Sequence, residues 1–143
     1  MTLTTTLQKL SRPSNPVKAA YRRAAVAYTV YGSLYMGGAL AALDEERKTT
    51  FFGFVPWWSF YLVGAIILAI VPVLVWRRSK WFTRILCLGP AGKALALFWR
   101  MGLDLQAGEG LSAFQALFAL AAVVAASLLA LAGWGPQEQP QEQ

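Results

Sequence analysis

Few side chains in this chain could do chemistry. It has no histidine, one cysteine (Cys87) and seven carboxylates among 143 residues. Without histidine there is no Ser-His or Cys-His pair to activate a nucleophile. The commonest metal and haem ligand is missing too. Cys87 stands in the apolar run Ile85-Leu86-Cys87-Leu88, a setting that favours inert packing over redox work. The carboxylates outside the tail are Asp44, Glu45, Glu46, Asp104 and Glu109. The first three are adjacent in one polar patch, and Asp104 follows Arg100 at helical i, i+4 spacing. Gly92-Lys93 lacks the upstream glycine and the following Ser or Thr of a phosphate loop. The reading is of a protein that is not an enzyme and needs no cofactor.

The elements that carry these residues are apolar helices. Hydrophobic residues make up 57% of the chain and charged residues 14%, against about 25% charged in a soluble domain. The net charge of +6 does not point to nucleic acid, because the basic residues flank apolar runs. There they can meet anionic lipid head groups.

The fold class that follows is an all-α integral membrane protein. Three transmembrane helices are expected, the second kinked by proline, with an amphipathic interfacial helix between the second and third. Residues 1–23 form a basic segment without acids, in which Leu3, Leu7 and Leu10 share a helical face suited to a membrane surface. Asn15-Pro16 reads as an N-cap followed by proline in the first turn. The first span is 24–43, 20 uncharged residues. At about 1.5 Å per residue they cross a hydrocarbon core of about 30 Å. A basic start before such a run also fits a signal peptide, with Ala39-Leu40-Ala41 at the cleavage position, or an organellar presequence; the expectation is that the segment stays.

Residues 44–56 form an external loop ending in the aromatic cluster Phe51 to Trp58. The second span, 57–76, holds Pro72 and is bounded by tryptophans, which favour the membrane interface. Residues 77–110 are a basic segment. Gly89-Pro90 is expected to end one helix and start another. In that second helix Lys93, Arg100 and Asp104 make a polar stripe, read as facing water. Gly108-Glu109-Gly110 is a turn, 111–134 is the third span, and 135–143 is a polar tail.

Residues 1–23 carry five bases and 77–110 carry six. The positive-inside rule therefore places both on the cytoplasmic or matrix side of an inner membrane, with the C-terminus opposite. A four-span chain ranks second, because it would thread Lys93 through lipid. Candidate interface residues are Arg22, Arg23, Arg77, Arg78, Lys80, Trp57, Trp58, Trp76 and Trp81. Candidate helix-packing residues are Ser33, Gly37, Ala41, Ala122 and Ala126, small side chains that let helix backbones approach. Opposite the Ser33 face, Tyr21, Tyr28 and Tyr35 recur every seven residues, with Tyr31 nearby. Gln115 is the most polar side chain within a span and is expected to bond a neighbouring helix.

The expected role is a non-catalytic accessory or assembly subunit of a multi-subunit membrane complex, an energy-converting one among the plausible hosts. Its partners would be other membrane subunits and anionic lipid. The alternative is a small homo-oligomeric pore or transporter of the holin or channel kind.

Overall fold

The structure, a computed structural model, describes residues 15–46, 50–51 and 55–136, with side chains over 15–38 and 58–136. The Leu3–Leu10 helix, most of the aromatic cluster, the tail and the side chains of Ala41 and Trp57 lie outside the described residues. The described chain is helical, with four helices: α1 Pro16–Glu46, α2 Trp57–Trp76, α3 Lys80–Gln106 and α4 Ala113–Trp134. Between α1 and α2, strands β1 (Thr50–Phe51) and β2 (Val55–Pro56) pair antiparallel.

Each helix end has a local cause. Asn15 caps α1, its Oδ1 accepting the Val17 N–H at 3.1 Å, so one orphan donor of the first turn is satisfied. Arg78, at φ 64°, turns the chain between α2 and α3. A left-handed residue with a Cβ costs about 1–2 kcal/mol. Gly108, at φ 76°, ends α3. There Glu109 N–H donates to the Asp104 carbonyl (2.9 Å) and Gly108 N–H to Leu105 (3.1 Å), a Schellman closure.

Two expectations about the helices are corrected. Gly89-Pro90 does not divide the chain, because α3 runs unbroken through Pro90. Proline removes one helical donor and crowds the carbonyl four residues back. It also pushes the preceding residue out of the helix by contact with that residue's Cβ, and Gly89 has none. Pro90 is fully buried on the same face as Thr83, Cys87 and Ala94, and that packing holds the helix together. Gln115 does not reach another helix. It is the third residue of α4, and its Oε1 accepts the Ser112 N–H at 3.3 Å, one half of a capping box.

The helices run alternately up and down. Gly32 meets Leu68 and Gly64 meets Met36, so α2 is antiparallel to α1. Gly38 meets Phe114 while Tyr21 shares a core cluster with Leu129, so α4 is also antiparallel to α1. Arg84 bonds Gly133 and Cys87 bonds Ala126, which sets α3 antiparallel to α4. Helix α4 therefore lies between α1 and α3, and α1 lies between α4 and α2. Helices α2 and α3 barely touch. The start of α1 and the end of α4 share one end of the bundle, called the basic end because Lys18, Arg22, Arg23, Arg77, Arg78, Lys80 and Arg84 gather there.

Two helices, α2 and α4, are long and apolar enough to cross a membrane. The outer surfaces suit that reading. Leu62, Val63, Ile66, Ile70 and Val73 of α2 are exposed, as are Ile85, Leu88, Leu95, Phe98, Trp99 and Leu103 of α3. Soluble monomers rarely present apolar patches this extensive to water.

Candidate functional site

At the basic end the core is closed. Tyr21 of α1 is 1% exposed and clusters with Val71 and Val75 of α2, Cys87 of α3, and Leu129 and Ala132 of α4. All four helices meet there. The Cys87 thiol donates to the Ala126 carbonyl at 3.2 Å. Beside this core, Arg84 Nε–H donates to the Gly133 carbonyl at 2.8 Å. Its guanidinium lies 5.5 Å from the Trp81 ring centre and 5.4 Å from that of Trp134. A cation bonded to a terminal carbonyl complements the negative end of the helix dipole, and the two indoles shield it. Arg84 was legible only as one basic residue among several. Two of its partners, Gly133 and Trp134, lie about fifty positions away in the chain, out of reach of local pattern.

The remaining interface candidates lie around the same end, except Trp57 and Trp58 at the opposite one. Arg22, Arg23, Arg77, Arg78 and Lys80 are exposed, and Arg22 lies 5.7 Å over the Trp76 ring. Trp58, Trp76 and Trp81 are exposed.

The small residues divide between two faces. Ala122 is fully buried and Ala126 half-buried against α3 and α1. Ser33 is exposed, its hydroxyl donating to the Thr29 carbonyl of its own helix at 2.8 Å. Gly37 is exposed, and a Cβ built there would meet none of the described residues within 4 Å. Close approach inside the chain comes instead from Gly32, Gly38 and Gly64. A Cβ on each would stand 2.5 Å from Leu68, 2.9 Å from Phe114 and 2.5 Å from Met36 respectively.

Away from the basic end the bundle opens. Between α1 and α2 lies a groove of about 240 Å³, lined by Tyr28, Tyr31 and Tyr35 on one side and by Phe60, Val63 and Ile67 on the other. The tyrosines are held by rings. Tyr31 stacks on Phe118 of α4 at 5.6 Å and 14°. Tyr35 contacts Phe118 at 6.0 Å and Phe60 at 6.4 Å.

Lys93 reaches this aromatic group from α3. Its Nζ lies 5.2 Å from the Tyr35 ring centre and 5.9 Å from that of Phe118. The expected water-facing stripe is corrected here. The buried face of α3 centres on Pro90, and Lys93 lies about 60° from it at about 100° per residue. Lys93 and Asp104 are half-buried at the edge of that face. Leu95 and Trp99 point outward instead, at 73% and 74% exposed. The periodicity placed the charges on one stripe correctly. It could not show that α4 would cover the helix beside that stripe.

No known protein family, curated protein or solved structure matches this chain. Among the described residues no group of three His, Cys, Asp or Glu side chains could hold a metal ion. What the arrangement offers chemically is one ammonium over two aromatic rings, beside a tyrosine-lined groove.

Proposed function

We propose that the chain is a membrane-embedded accessory subunit without catalytic activity, serving the assembly of a multi-subunit inner-membrane complex. The observation that carries this reading is the outer face of α1. Ser33 and Gly37 present a small-residue surface that none of the described helices covers. In lipid, such faces let a second helix approach closely, and packing rather than the hydrophobic effect drives the association. The basic end, ringed by Trp76, Trp81 and Trp134, is suited to anionic head groups.

The same reading takes all four helices across the bilayer rather than three. Helix α3 lies along α4 from the Arg84–Gly133 bond to the Lys93–Phe118 contact. A slab that contains α4 over this length contains α3 as well. The cost of carrying Lys93 into the membrane, which favoured three spans, is reduced by Tyr35 and Phe118. Four spans also sharpen the charge asymmetry. Among the described residues, Lys18, Arg22, Arg23, Arg77, Arg78, Lys80 and Arg84 fall at one end, against Arg100 at the other. The positive-inside rule then puts both termini on the cytoplasmic or matrix side, and the two acids of the tail weigh little in it.

Native purification in mild detergent, followed by mass spectrometry of what remains bound, tests the role. Stoichiometric foreign subunits are expected, and they should be lost from the Gly37→Leu variant. A symmetric homomer that leaks ions in liposomes would replace this reading with the pore.

A further inference from the structure

We propose that the α1–α2 groove holds the head of a bilayer amphiphile, a flat ring bearing an acceptor oxygen that bonds the Lys93 ammonium. The inference rests on the membrane placement above, not on the accessory role.

Four observations converge on it. The first is size: a dry apolar cavity of about 150 Å³ accepts benzene, and this groove offers about 240 Å³, room for one substituted ring. The second is shape and surface. The lining includes the rings of Tyr28, Tyr31, Tyr35 and Phe60, and aromatic rings pair in offset or edge-to-face arrangements. The third is Lys93. An ammonium has three donors, and ring faces attract its charge without giving it a lone-pair acceptor. The nearest acid along its own helix, Asp104, is about 16 Å further along the axis. An ionisable group half-buried within a membrane marks a functional site by default, and Lys93, itself outside the groove's lining, meets that lining through Tyr35. Tyr35 joins the two features, because it both lines the groove and carries the ammonium over its ring.

The fourth is depth. Phe118 is the sixth residue of α4, so the ammonium above it lies about 8 Å inside the membrane from the end of that helix. That is the level just beneath the head groups, where the polar ring of an amphiphile sits while its chain continues along apolar surface. Ile66, Ile70 and Val73 on the outer face of α2 supply such a surface towards the basic end.

The test is calorimetric titration of the purified full chain in dodecyl maltoside with two probes. Decylbenzoquinone carries ring, acceptors and chain; decylbenzene carries ring and chain only. Saturable binding of the quinone is expected, tighter than decylbenzene by about tenfold or more, the equivalent of one charge-assisted hydrogen bond. Lys93→Met should erase that preference and Lys93→Arg should retain it. Val63→Trp fills the groove from a half-exposed position and should abolish binding of both probes. Equal affinity for the two probes in the unaltered protein would overturn the proposal, as would a preference that survives Lys93→Met or binding that survives Val63→Trp. If Lys93→Met does not fold, the probe preference and Val63→Trp decide. Because the titration is done in detergent on the isolated chain, it reports on the groove alone. Failure to co-purify with foreign subunits is a separate result and sinks only the accessory role.

Discussion

The two ends of the bundle are built differently from the same helices. At the basic end α1, α2, α3 and α4 all contribute to one cluster around Tyr21. Away from it α2 and α3 separate, and the space between α1 and α2 becomes a groove. Residue size accounts for much of the contrast. Ala24, Ala25 and Ala132 let four helices converge at the basic end. Tyr28, Tyr31, Tyr35 and Phe60 hold them apart above it. The closed end is where stability should reside, and the open end is free to bind.

Truncations measure this difference directly. Leu129→Ala removes a fully buried side chain and should cost about 2–4 kcal/mol in detergent unfolding, as buried leucines do. Val63→Ala, on the half-exposed wall of the groove, should cost under about 0.5 kcal/mol, like other surface changes. Similar losses at the two sites would erase the distinction between the ends.

Arg84→Ala should cost about 1.5–3 kcal/mol, the worth of a charged hydrogen bond to the Gly133 carbonyl. Arg84→Lys should recover part of that loss, because lysine keeps the charge but not the planar contact with Trp81 and Trp134. A fully neutral Arg84→Ala would mean that the clamp adds nothing to the closed end. Arg78→Gly should stabilise by about 1 kcal/mol, since glycine adopts φ 64° without penalty. Thermal unfolding followed by circular dichroism checks both.

A small effect without loss is expected at Tyr21. Its hydroxyl is buried with no hydrogen-bond partner among the described residues. Tyr21→Phe should therefore leave stability unchanged or raise it by up to about 1 kcal/mol, because an unsatisfied buried group carries a desolvation cost. A clear loss would show that the hydroxyl is bonded in the membrane, through a water for instance.

How much of this was legible depends on how local each cause is. Helix α2 was read to the residue, because Pro56, a run of uncharged apolar residues and Trp76 all mark it within its own segment. The start of α1 was equally local, set by Asn15 and Pro16. The continuity of α3 was not. A Gly-Pro pair argues for a break unless packing opposes it, and the packing comes from α4, later in the chain. Lys93 was assigned to water for the same reason, since its ring partners Tyr35 and Phe118 belong to two other helices. Gln115 misled because it was placed within a span, whereas α4 begins at Ala113 and uses it as a cap. The groove had a partial signal in the seven-residue tyrosine repeat. Which neighbour would face those tyrosines had none.

The most direct test is cysteine labelling with a membrane-impermeant maleimide. Cys87→Ala removes the native thiol, and single cysteines are then placed by Thr5→Cys, Glu109→Cys and Gln139→Cys. With four alternating spans, positions 5 and 139 should label from the same side of the membrane and position 109 from the opposite side. Labelling of 5 and 109 from one side, with 139 from the other, would restore three spans. It would also remove Lys93 from the membrane.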